Sequence, residues 1–90
     1  LWTARAERDC KDIEADLAKL DPRAAIDTVE RIIRELWRLA EPPYPGRRGR
    51  CPGTREHVIA DIAFIVVYQV RQTEVVIMRV LSGTQQWPEG

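Results

Sequence analysis

Arginine is the residue type through which this chain is best equipped to do chemistry. Four arginines fall in the twelve residues PGRRGRCPGTRE, Pro45 to Glu56, and Arg71 and Arg79 follow among apolar runs. A guanidinium stays charged at any ordinary pH and presents a planar fork of donors, so it holds a phosphate or carboxylate and shuttles no proton. Proton-transferring groups are scarce. His57 is the one histidine, and no Ser-His-Asp or Cys-His pairing is legible around it, which makes a surface or edge histidine the plainer reading. Cys10 and Cys51 lie far apart without C-x-x-C spacing, so no zinc site or disulfide framework is indicated and both are expected as reduced thiols.

Arg55, Arg71 and Arg79 are expected to project from strands. Two readings stand side by side for them: recognition of phosphate or carboxylate, or strand solvation and ion pairing with Glu56 or Glu74. Arg47, Arg48 and Arg50 sit between glycines and prolines. They have the charge to neutralise nucleic-acid phosphates but, Tyr44 apart, no interleaved aromatics for stacking, and a solvated connector is the preferred reading. Thr54 and Glu56 read as local structure around the Gly53 turn. Trp2, Trp37 and Trp87 read as packing anchors.

Ninety residues suffice for one domain over positions 1–90, which at this length buries about 60 to 65% of the surface its unfolded chain exposes. Fourteen Lys and Arg balance fourteen Asp and Glu, so no overall field selects a polyanion or a membrane. The balance is uneven. Residues 1–45 hold eight basic and ten acidic groups, residues 46–90 six and four, and those six bases are all arginine. The longest apolar run, Ile62 to Val67, is far below the about 20 residues of a membrane span, and no export signal is legible. A cytoplasmic protein is expected, and the start at Leu1 leads us to expect a few residues before it.

Apolar residues at Ala6, Cys10, Ile13, Leu17 and Leu20 fall on one face of a helix, with Thr3 as its N-cap. Asp21 and Pro22 open a second helix, expected to run to Glu41 before Pro42 and Pro43 stop it. Its stripe includes Ile26, Val29, Ile32, Ile33, Leu36 and Trp37 and is read as core. The short connection makes the two an antiparallel hairpin. The period then changes to two, and residues 54–59, 63–71 and 74–81 read as an antiparallel three-strand meander. Phe64, Val66, Tyr68 and Val70 share one face of the middle strand. In the last, Val76, Met78 and Val80 lie opposite Val75, Ile77, Arg79 and Leu81. The apolar faces belong under the helices, and the other faces form a partly open surface. Leu1 and Trp2 look like the end of an N-terminal strand, which completes an α+β class.

Three runs in this order, GRRGRCPGTREHV, FIVVYQVR and VVIMRVLSGTQQWP, resemble the RelE/ParE superfamily of type II toxin-antitoxin toxins over nearly the whole chain. The resemblance implies an α+β fold with a helical hairpin packed on an antiparallel sheet, and a cognate antitoxin that wraps and neutralises the toxin. It also implies one of two activities: ribosome-dependent mRNA cleavage, as in the RelE branch, or inhibition of DNA gyrase without chemistry, as in the ParE branch. Departures favour the second. The middle-strand arginine of the RelE branch falls near Ile65, the histidine common in such tails is Ser82, and basic tail positions correspond to Gly83, Thr84, Gln85 and Gln86. The resulting expectation is a gyrase-binding toxin with no cofactor, metal or membrane partner. Its target-binding residues are Arg55, Arg71, Arg79, Ser82, Gln85 and Trp87. The alternative is an endonuclease acting on ribosome-bound mRNA through Arg55, His57 and Arg79; a third class is a module that keeps antitoxin binding but has lost toxicity.

Overall fold

In the computed structural model, which describes residues 1–88, Thr3 opens the first helix, α1 (Ala4–Ala18). Its Oγ1 accepts from Ala6 N–H at 3.1 Å, satisfying one of the donors a first helical turn leaves unpaired. After a three-residue connection Asp21 caps α2 (Pro22–Arg38) by accepting from Arg23 and Ala24 N–H at 3.0 and 3.3 Å. Pro22 at the first position has no N–H to leave unsatisfied. This helix ends at Arg38, three residues short of the expected Glu41, with Leu39 as its C-cap. The 0% exposed side chain of Leu39 turns into the core there instead of continuing the helix.

The arginine-rich connector is not only a solvated bridge. Arg47–Arg48 forms β1, and with β2 (Arg55–Ile59), β3 (Phe64–Arg71) and β4 (Glu74–Ser82) it builds a four-stranded antiparallel sheet in the order β1-β2-β3-β4. Gly46, at φ 101°, lets this strand come close to its neighbour, since a Cβ there would lie 2.7 Å from the Glu56 carbonyl oxygen. The expected N-terminal strand is reduced to one parallel bridge between Trp2 and Ile77. Thr3 N–H donates to Ile77 O at 3.0 Å and Ile77 N–H to Leu1 O at 2.7 Å, so the chain start pairs part of the outer edge of β4.

Helices and sheet enclose Ala6, Ile32, Leu36, Leu39, Ile59, Val66, Tyr68, Ile77 and Val80. Each fully buried aliphatic side chain among them stabilises the fold by about 1.5 to 3 kcal/mol relative to exposure. Alternation along β4 is not the one expected. Val67 pairs with Arg79 but Tyr68 with Ile77, so Met78 is an extra residue and the strand bulges. The bulge re-phases the strand and places Ile77 and Val80, which strict alternation assigns to opposite faces, in the same core.

The stripe on α2 is wider than its partner surface. Ile32 and Leu36 are buried, but Trp37 is 76% exposed and Ile26 and Ile33 are also exposed. Trp37 is therefore no packing anchor of this chain.

Candidate functional site

Strand pairing settles which arginines share a face. Arg48, Arg55 and Tyr68 lie opposite one another across β1, β2 and β3, on the helix-facing side, as do His57 and Val66. Arg47, Glu56 and Val67 form the next row, on the other side. Arg71 falls on that other side too, so Arg55 and Arg71 project from opposite faces.

Glu56 is completely buried, and the connector closes on it. Its carboxylate accepts from Arg50 N–H at 2.7 Å, from the Arg50 guanidinium at 2.9 and 3.2 Å, and from Arg47 at 3.3 Å. Hydrogen bonds from Arg50 hold its carboxyl below the usual carboxylate range, outweighing the burial that pushes it up. Two of the three connector arginines thus have a structural partner. Arg48 and Arg55 have none of that kind: among the described residues neither makes an ion pair, and Arg55 only donates to Tyr44 O at 3.4 Å.

Arg79 was expected to project from the sheet, and it does not. It is 5% exposed, and its Nε and Nη2 donate to the Asp9 carboxylate of α1 at 2.8 and 3.0 Å. The same carboxylate accepts from Val80 N–H at 2.9 Å. Trp87 lies 5.4 Å over the guanidinium, a cation–π contact that folds the C-terminal segment back onto β4. Arg71 is exposed and donates to Gln69 Oε1 at 2.9 Å, not to Glu74. Ser82 and Gln85 bond each other, Gln85 N–H donating to Ser82 O at 3.1 Å, and face a groove that also contains Asp9, Asp12 and Asp16. Arg55, Arg71 and Arg79 therefore do not converge on one site.

His57 lies just beyond the β1 pairing, half-buried, and is not alone. Its Nε2 lies 2.6 Å from Oε1 of Glu35, a 4% exposed carboxylate on α2. Arg31 donates to the other oxygen of Glu35 at 2.7 Å and reaches Asp61 with two bonds of 3.1 Å. Burial pushes the Glu35 carboxyl up, but the bonds from Arg31 and His57 and the nearby charge of Arg38 together hold it below its ordinary value. This network ties α2 to β2 and to the following turn. Sequence reading missed Glu35 and Asp9; a carboxylate on the buried stripe of each helix was the signal available.

Two wider hollows remain. A groove of about 450 Å³ is lined by Trp2, Ile33, Leu36, Trp37, Val75 and Ile77. A cleft of about 740 Å³ lies at the β1–β2 corner, around Arg48, Arg50 and Arg55. Among the described residues no three His, Cys, Asp or Glu side chains are grouped to hold a metal ion, and no helix is long and apolar enough to cross a membrane.

A helical hairpin on a four-stranded antiparallel sheet, with its last strand pinned to the first helix, is an α+β architecture that known proteins share. Residues 1–87 match the family described as ParE toxin of type II toxin-antitoxin system, parDE, and the chain belongs to that family. "Putative toxin Y4kP" of Sinorhizobium fredii is 44% identical over 88 residues, covering 98% of this chain and 91% of that one. Among solved structures, the chromosomal ParDE system from P. aeruginosa superposes with a TM-score of 0.84 at 25% identity, covering 90% of each chain. The isolated E. coli RelE toxin matches in fold, with a TM-score of 0.63 at 16% identity over 96% of this chain and 84% of that one. The resemblance read from the three sequence runs is therefore correct, on the ParE side.

Proposed function

We propose that this ParE-type toxin acts in the cytoplasm by binding DNA gyrase and holding it on cleaved DNA, with no chemistry of its own. The observation that carries this reading is the place of His57. The one histidine of the chain faces the helices and is engaged by buried Glu35, so the sheet face turned away from the helices lacks the side chain best suited to proton transfer near neutral pH. The exposed guanidinium and amide groups of Arg55, Arg71 and Gln85, with the half-buried hydroxyl of Ser82, suit holding a surface. Arg79 contributes by positioning Trp87. A supercoiling assay with purified toxin tests the reading: inhibition or accumulation of cleaved DNA is expected, and full gyrase activity at saturating toxin overturns it.

The family implies an antitoxin, and the apolar groove between α2 and the β3–β4 hairpin suits it. Exposed Trp37 and Ile33 form with Trp2 an apolar patch on a helix face, the kind of surface that an amphipathic partner segment covers.

One arrangement favours the endonuclease reading. His57 has a carboxylate partner of the kind that orients an acid–base histidine, and shares its strand face with Arg55. Arg79 does not join them. Translating ribosomes mixed with the toxin separate the readings: codon-phased cuts lost in His57→Ala support cleavage, and intact message removes it.

A further inference from the structure

The β1–β2 ladder pairs its residues unevenly. Arg47 stands opposite Glu56 and is compensated, but Arg48 stands opposite Arg55. Directly opposed side chains in an antiparallel pair have Cβ atoms about 4.5 to 5.5 Å apart, and like charges at that distance repel. Both arginines are exposed, and among the described residues neither has a carboxylate partner. They line the 740 Å³ cleft together with Arg50. Arg50 is 43% exposed, but its guanidinium is held by Glu56, which Arg47 also reaches, so that cluster keeps one net positive charge beside the cleft. Gly49, Pro52, Gly53, Thr54 and Val70 complete the wall, and no acidic residue lines it. A Cβ on Gly49 would fall 2.0 Å from the Thr54 hydroxyl oxygen, so a glycine is needed to fold the loop this tightly around the cleft.

Two uncompensated cations around an open cleft, with the net charge of the Arg47–Arg50–Glu56 cluster beside them, make an anion site. Its shape selects among anions. Protein partners gain affinity from buried aromatic and aliphatic anchors, which this chain displays in the other groove and not here. Sugar-phosphate backbone requires only positive charge along an open path, with no apolar anchor. We propose that the Arg48–Arg50–Arg55 cleft binds the phosphodiester backbone of double-stranded DNA, independently of base sequence. The proposal stands apart from the gyrase reading, because it is measured on DNA without gyrase.

Fluorescence anisotropy of a labelled duplex of about 20 base pairs, titrated with the full chain over a salt series, tests it. Micromolar binding is expected at low salt, with a slope of log K against log salt near −2 to −3, about −0.9 for each phosphate neutralised. Arg48→Ala and Arg55→Ala should each weaken binding about three- to tenfold and flatten the slope by about one. Arg23→Ala, on a distant exposed turn of α2, should change neither. Because the two variants remove repulsion, their thermal midpoints should match or exceed that of the native chain. Four results overturn the proposal: no binding at low salt, equal binding by the Arg48→Ala/Arg55→Ala double variant, equal loss in Arg23→Ala, or tighter arginine-dependent binding of polyglutamate than of duplex. The last would assign the cleft to a carboxylate-bearing protein.

Discussion

The carboxylate of Asp9 on α1 joins the guanidinium of Arg79 to the backbone of the strand that carries it: two bonds of 2.8 and 3.0 Å reach the side chain, and one of 2.9 Å reaches the next N–H, at Val80. Both partners are buried. The pair therefore closes the helical hairpin against the sheet edge just beyond the bulge.

Breaking this pair from one side should destabilise strongly. Asp9→Ala leaves a buried guanidinium without its principal carboxylate and an edge N–H unpaired, and the expected loss is about 3 to 5 kcal/mol by urea unfolding. Asp9→Leu with Arg79→Leu should lose clearly less than Asp9→Ala, because no buried charge is stranded. An equal loss would show that the pair contributes net stability beyond avoiding that charge.

Acid should unfold the protein through Glu35 and Glu56. Both carboxyls are held below their ordinary value of 4.5 in the folded state. The unfolded chain therefore binds protons first, so the stabilisation is complete above about pH 5 and is lost as pH falls through the lower folded values. Thermal midpoints should be level from pH 7 to 5 and drop below 4. Glu56→Gln should lower the midpoint at pH 7 and flatten the acid limb.

Burial, with the neighbouring charge of Asp9, pushes the Cys10 thiol up to about 11. Only roughly one molecule in a thousand then carries the reactive thiolate at pH 8. In a Cys51→Ser background, labelling of native protein by a disulfide reagent at pH 8 should be slow and should accelerate on addition of denaturant. Complete labelling within seconds under native conditions would contradict the half-buried placement.

Ala63 and Gln72 both sit at φ 57°, the left-handed region that side chains disfavour. Glycine fits there without the Cβ penalty, so Ala63→Gly and Gln72→Gly should each stabilise by about 0.5 to 1 kcal/mol despite the added freedom of the unfolded chain. Equilibrium unfolding measures the sign.

Trp37 makes a sharper test of the antitoxin groove than any core residue. At 76% exposure its replacement removes little packing, so Trp37→Glu should shift stability by no more than about 0.5 kcal/mol. Its complex with the cognate antitoxin should weaken at least tenfold by calorimetry, as for an aromatic anchor at the centre of an interface. Unchanged affinity would move the antitoxin elsewhere.

Local chemistry carried much of this protein into plain view. Thr3, Asp21 and Pro22 announce two helices, because a cap or an N1 proline acts within one turn of where it is read. The change of apolar period marks the three long strands to within one residue at each end. The family words were legible for the same reason, being contiguous. What stayed hidden depended on partners distant in sequence. Asp9 meets Arg79 seventy positions away, and Glu35 meets His57 across twenty-two. The bulge at Met78 is a mismatch between two strands and belongs to neither alone. Tertiary structure likewise decided the fate of the arginines, since a charge is neutralised or left over only by what folding brings opposite it: Glu56 faces Arg47, and Arg55 faces Arg48.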